Sequence, residues 1–269
     1  MSAASAFYRD SGFVGLAGVF DDQAIESIRQ SVERAAVNRA TVSSRYFARL
    51  DEENSFNTSY RQYANLHEQD VELASFVHSA TVGNLVQGVA GEGLCFLFSS
   101  TLEKQPFAGP LRAHHDLRQM PFDTETMVTA WIALDDVDAR NGCLYYFPGT
   151  QRMGVRRAKD SAKSSFKDSS IDYLRFYSEF DEVEPVFAEV PRGTVLFHNG
   201  MTIHGSGANL SRRPRMALAL SFIPLNTVCT DPDHPLLRDF TAGESFSDNP
   251  WHPRVVAASS PAHPPVERM

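Results

Sequence analysis

Apolar residues recur at spacings of three and four after Asp21 and Asp22, where Ile25, Ile28, Val32 and Ala35 form one stripe. Either aspartate supplies the side-chain oxygen that a helix start needs, so the spacing predicts a helix here. The preceding segment, FYRDSGFVGLAGVF, mixes Phe, Val and Gly in short alternation and reads as a strand or extended lead-in. From Asn38 to about Leu66 polarity is high and no period holds, which predicts a long loop near a pocket mouth. A second stripe of Leu73, Phe76, Val77, Leu85 and Val89 predicts one helix from about Gln69 to Val89.

After Gly91 and Gly93 the texture changes to short β-rich runs: LCFLFSSTLE, the 111–118 stretch, MVTAWIALDDV, CLYYFPG, EPVFAEV, TVLFH and RMALALSFI. Turn signals separate them at Asn141-Gly142, Pro148-Gly149, Pro191-Arg192-Gly193 and Asn199-Gly200. Many short strands at this spacing favour a sandwich or barrel over a parallel α/β sheet. The expected organisation is a single domain over 1–269. It has a helical part at about 20–90, a β core at about 94–225 and an extension over 226–269. The polar stretch 151–184 carries Arg152, Arg156, Arg157, Lys159, Lys163 and Lys167 and is expected to form a lid or a solvated excursion.

Composition narrows the function classes. A chain of 269 residues buries a substantial core without disulfides. With 42% apolar and 22% charged residues it is an ordinary globular sequence. The net charge of −8 argues against broad nucleic-acid binding and against an anionic membrane surface as partner. Cys95, Cys143 and Cys229 are odd in number, far apart and without a C-x-x-C, which predicts reduced core thiols in a cytoplasmic protein. The N-terminus has no basic region followed by an apolar core, and MALALSFIPL is half the length of a membrane span. Oligomeric state is not encoded in any of this.

The candidate chemistry lies in LRAHHDLRQMPFD and, roughly ninety residues later, in VLFHNGMTIHGSGANLSRRPR. In a strand, side chains two apart share a face. His114 and Asp116 are therefore expected to aim into one cavity, with His115 pointing away. A His-x-Asp alone is common by chance, and an ordinary His114 is the plainer reading of that pair. Three features weigh against it. The pair lies beside the β-rich core, His204 follows a second strand with Ser206 two residues on, and Arg215 opens the next strand. Two imidazoles and one carboxylate make the face that holds Fe(II) and leaves three positions open. His198 competes with His204 as the distal ligand; the HGSG context and the eleven-residue step to Arg215 favour His204.

The chain resembles the phytanoyl-CoA dioxygenase family of Fe(II)/2-oxoglutarate oxygenases. The likeness runs from FYRDSGFV to about Pro224 and is densest in HHDLRQMPF, TAWIALDDVDARNGCLYYFPGTQR and GTVLFHNGMTIHGSGANLSRRPR. It implies a mainly β fold with flanking α-helices, the cupin-like double-stranded β-helix or jelly roll. It also implies iron at His114, Asp116 and His204, and the far carboxylate of 2-oxoglutarate at Arg215 and Ser206, with Trp131 lining that pocket. His115 replaces the glutamine usual inside the family's motif. A carboxylate at Asp116, where related halogenases carry a small residue, favours hydroxylation of an unactivated C–H, with 2-oxoglutarate and O2 becoming succinate and CO2. The substrate is expected to be an acyl-CoA, an amino-acid-like molecule or a natural-product intermediate. Arg112, Arg118, Gln119, Arg156 and Arg157 are the residues placed to meet it.

Two rival classes stand beside this reading. Ser206 next to His204 suggests a hydrolase, but HGSGAN is not the G-x-S-x-G elbow. The alternative is a catalytically silent jelly roll that binds metal and ligand, whose residues would look the same.

Overall fold

A computed structural model describes residues 2–39, 61–91, 93–153, 182–234, 237 and 239–255. One sheet has six strands in the order β1 (Phe13–Leu16), β8 (Val195–Asn199), β5 (Val128–Ala133), β10 (Arg215–Pro224), β3 (Leu94–Lys104) and β2 (Arg61–Ala64). The other has four, in the order β4 (Leu111–His114), β9 (His204–Ser206), β6 (Leu144–Tyr146) and β7 (Val186–Ala188). Every pairing is antiparallel. From β3 onward the chain crosses between the sheets at every step except β6 to β7, which is the winding of a jelly roll.

The period of two in these strands sorts side chains onto two faces. Facing away from the second sheet, Val14, Phe197, Ala130, Ile132, Leu218 and Leu220 pack against Ile25, Ile28, Val32, Leu73, Val77 and Val86. Those helical residues come from α2 (Asp22–Arg39), α3 (Val71–Val77) and α4 (Ala80–Ala90), so the predicted stripes are the surfaces that meet the sheet. Each aliphatic side chain buried there contributes about 1.5–3 kcal/mol. The opposite face forms the barrel interior, where Phe13, Trp131, Ala133, Leu196, Ala217 and Ala219 meet Leu144, Tyr146 and Ala188 of the second sheet.

Register lays this interior out in rows. Phe13, His198, Thr129, Ser221 and Phe98 are successive cross-strand partners. Leu196, Trp131, Ala219 and Ser100 form the next full row in that direction, and Arg215 pairs with Lys104 at the far end. The other end is covered by Leu117, Phe122, Met127, Phe147, Met201 and Ile203, joined by Phe240 and Phe246 from beyond β10. Isolated bridges Phe122–Cys229 and Cys95–Arg254 stitch that extension to the core.

Several local expectations change. The opening segment is not extended throughout: α1 spans Ala3–Ser11, capped by the Ser2 hydroxyl and ended by Gly12 at φ 83°. The buried Ala4 and Tyr8, four residues apart, make a helical stripe too short to stand out in the sequence. The single helix expected over 69–89 is two, because Ser79 caps a new start by accepting from the Val82 N–H. Part of the expected loop before Leu66 is β2, and its residues 40–60 lie outside the described set. Most of the expected lid, residues 154–181 with Arg156 and Arg157, also lies outside it.

The N-terminal helix bears on the interior through its cap. The Gly12 carbonyl accepts from the Asn199 N–H and from the Thr202 hydroxyl, each at 2.8 Å. It thereby pins the turn between β8 and β9.

Candidate metal centre

β4 ends on His114 and β9 begins on His204, and the two residues are cross-strand partners with ring centroids 4.5 Å apart. Asp116 does not sit on the strand as expected. The strand stops at His114, and Asp116 opens a 3-10 turn (Asp116–Gln119) tied down by the Leu117 N–H on the Gly200 carbonyl at 3.1 Å. The turn, not strand alternation, swings the carboxylate back beside the imidazoles. Asp116 Oδ1 lies 3.7 Å from His114 Nε2 and 3.6 Å from His204 Nε2, and one donor atom from each residue falls within 4.8 Å of the others.

Each of these histidines has its Nδ1 2.9 Å from the carbonyl two residues upstream, Arg112 for His114 and Thr202 for His204. A carbonyl only accepts, so Nδ1 carries the proton and Nε2 presents its lone pair. Burial would push the Asp116 carboxyl up, but the imidazoles of His204, His198 and His114 hold it well below the usual carboxylate range. His204 is kept neutral by burial and by His198 beside it. Two imidazole Nε2 atoms and an ionised carboxylate, the latter about 21% exposed, form a donor set suited to Fe(II).

At the far end of the barrel Arg215 and Lys104 are both fully buried. Arg215 Nη2 donates to the Gly142 carbonyl at 2.8 Å, and its guanidinium lies 5.2 Å from the Trp131 ring centroid. Lys104 Nζ donates to Ser206 Oγ at 3.0 Å. Burial, and then the neighbouring Arg215, bring the Lys104 pKa down to about 7. Two cations held side by side out of water repel, and an anion between them offsets that cost. Asn141-Gly142 is also more than a turn. At φ 84° Gly142 lies so close that a Cβ there would be 2.6 Å from the Gly207 carbonyl and 2.8 Å from Lys104 Cδ.

Arg215, Ser206 and Trp131 are thus brought together, and Lys104 joins them unforeseen. Its signal was available: Phe98, Ser100, Leu102 and Lys104 alternate onto one face of β3. His198, weighed as a rival ligand, hydrogen-bonds the other oxygen of Asp116. His115 is buried, and Arg112 is exposed at the rim. The side chains of Arg118 and Gln119 are outside the described set.

A jelly roll that turns two imidazoles and one carboxylate onto a single point, above a buried cationic floor, defines a non-haem iron oxygenase that uses 2-oxoglutarate. The sequence match agrees: the chain belongs to the phytanoyl-CoA dioxygenase (PhyH) family, whose model covers residues 8–217. It is 24% identical over 235 residues to the peroxisomal phytanoyl-CoA dioxygenase of Mus musculus, an alignment spanning 84% of this chain and 69% of that protein. Its fold is similar to that of the non-heme alpha ketoglutarate dependent carbocyclase SnoK from nogalamycin biosynthesis, with TM-score 0.75, 23% identity, and 95% and 97% of the two chains covered. It is also similar to the epimerase SnoN solved with Fe3+, alpha ketoglutarate and nogalamycin RO, with TM-score 0.71, 21% identity and 88% of each chain covered. As a member of the PhyH family the chain is an enzyme, an iron- and 2-oxoglutarate-dependent dioxygenase that uses O2. The family match favours this over the silent binding protein. Among the described residues no helix is long and apolar enough to cross a membrane.

Proposed function

We propose that His114, Asp116 and His204 hold the iron and that the enzyme hydroxylates an unactivated C–H bond of its substrate. Arg215, Lys104 and Ser206 take the far carboxylate of 2-oxoglutarate, and Trp131 packs along the cosubstrate. When bound, iron with 2-oxoglutarate and O2 supplies the oxidising power for the C–H bond, and succinate and CO2 leave. The chain's own part is to orient and to exclude water. Nδ1–H bonds to the Arg112 and Thr202 carbonyls fix both ligand rings. The guanidinium anchors the diacid in the buried end of the barrel, where water competes poorly for charged hydrogen bonds.

One observation carries this reading: a three-donor cluster and a buried cation pair share one barrel interior, at opposite ends of the rows that β5, β8 and β10 lay down. Substrate enters from the side on which Asp116 and His114 are partly exposed, past Arg112. The substrate is an acyl-CoA, an amino-acid-like molecule or a natural-product intermediate. The whole chain works as one domain. Its three cysteines are free and buried, which suits a reducing cytoplasm.

The test is anaerobic addition of Fe(II) and 2-oxoglutarate, followed by oxygen and a panel of small metabolites. A visible charge-transfer band lost in His114→Ala, then succinate and a product one oxygen heavier, is the expected result. No band, or a band indifferent to His114→Ala, overturns the assignment. Succinate with a product of unchanged mass, or one two hydrogens lighter, overturns hydroxylation alone.

A further inference from the structure

The fold treats the two oxygens of Asp116 differently. Oδ1 faces the Nε2 atoms of His114 and His204, at 3.7 and 3.6 Å. Oδ2 lies 3.1 Å from His198 Nε2 and 3.2 Å from Thr129 Oγ1. An ionised carboxylate only accepts, so the imidazole N–H and the threonine O–H both point at Oδ2. The other ring nitrogen of His198, Nδ1, lies 3.3 Å from the Tyr146 hydroxyl, so both of its ring nitrogens have a hydrogen-bond partner. With the Thr129 proton committed, the Ser221 hydroxyl at 3.3 Å becomes the donor to Thr129.

Two ordered chains thus converge on one atom, Tyr146 to His198 to Oδ2 and Ser221 to Thr129 to Oδ2. They are built into the sheet. His198, Thr129 and Ser221 are cross-strand partners, and Tyr146 stacks on Phe13, the β1 partner of His198, at 4.5 Å and 9°. His198 is buried, and both of its ring nitrogens are engaged, so it has no lone pair to offer a metal.

We propose that His198, together with Thr129, is a positioning residue that keeps Asp116 a one-oxygen ligand. The inference rests on the metal reading above. A six-coordinate ion held by three protein atoms has three positions left, two for a chelating keto acid and one for O2. A carboxylate free to grip through both oxygens would take one of the three. With Oδ2 saturated by two donors, only Oδ1 is available, and the remaining positions stay open.

The probe is Mn(II), and the readout is the number of exchangeable waters on the bound ion, counted by EPR line broadening in 17O-enriched water. The expected count is three in the unaltered protein and two in the double variant His198→Ala/Thr129→Val. The near-isosteric Thr129→Val combined with His198→Gln, whose amide restores a donor, is expected to return the count to three. Metal affinity in the double variant should fall by roughly 10- to 100-fold and recover with the glutamine. Three waters in the double variant, checked as folded by its thermal transition, overturns the proposal, because a purely structural role leaves the count unchanged. A glutamine that fails to restore the third water overturns it as well. Mn(II) binding that survives His114→Ala instead marks failure of the metal assignment itself.

Discussion

Lys104 and Arg215 are directly opposed on β3 and β10, and both side chains are fully buried. The lysine pKa of about 7, lowered by burial and by the guanidinium, makes 2-oxoglutarate binding pH-dependent. In the empty site Lys104 is charged below about pH 7 and neutral above it, so affinity for the dianion should be highest below that point and decline above it. The bound carboxylate stabilises the charged lysine, which moves the decline upward. Anaerobic titrations from about pH 6 to about 9 should show this, and Lys104→Met should flatten the profile. For the unliganded fold the sign is opposite. Between pH 7 and 10.5 the unfolded chain binds a proton that the native lysine does not, so stability gains as pH rises.

Arg215→Lys keeps a charge but loses the planar fork and the bond to the Gly142 carbonyl. A charge-assisted hydrogen bond contributes about 1.5–3 kcal/mol. The 2-oxoglutarate KM should therefore rise by roughly 10- to 100-fold, with a much smaller change in kcat at saturating cosubstrate. An unchanged KM would remove Arg215 from the anion site.

Gly142→Ala should damage the same subsite without removing any charge. The added methyl would meet the Gly207 carbonyl and the Lys104 stem, on a backbone at φ 84°. A stability loss of about 1–3 kcal/mol should accompany weaker 2-oxoglutarate binding. Denaturant melts together with a cosubstrate titration would show whether both occur.

Asp116→Ala removes an iron ligand and also strands two donors, the His198 N–H and the Thr129 hydroxyl. Fe(II) affinity should collapse, and the metal-free protein should lose about 1–3 kcal/mol as well. Removing the metal from the unaltered protein with a chelator should abolish succinate formation. Fe(II) should restore it, whereas Zn(II), which has no redox chemistry, should not.

Ile25→Ala tests the separation of scaffold from site. Ile25 is fully buried between α2 and the outer face of the six-stranded sheet. The substitution should cost about 2–5 kcal/mol while leaving Fe(II) affinity unchanged below the new melting temperature.

The parts of this molecule legible in the sequence are those governed by a period. Ile25, Ile28, Val32 and Ala35 announce α2, and the alternation in RMALALSFI announces both faces of β10. His114 and His204 are legible as a pair through the resemblance, but Asp116 joins them for a reason other than alternation. A 3-10 turn begins at that residue, and no period marks a single turn held by Leu117 on Gly200. Alternation with Phe98, Ser100 and Leu102 puts Lys104 on the inward face of β3, but a lysine ending a strand normally reaches solvent, so its place opposite Arg215 shows only in the register. His198 looks like a competing ligand because linear spacing cannot say which oxygen of a carboxylate a histidine will meet.

The Gly12 carbonyl, gripping both Asn199 and Thr202, ties α1 to a histidine almost two hundred positions downstream. A lesion in the first helix would therefore present itself as a metal-loading defect. Residues far from the donor cluster in sequence act as a cleat for His204.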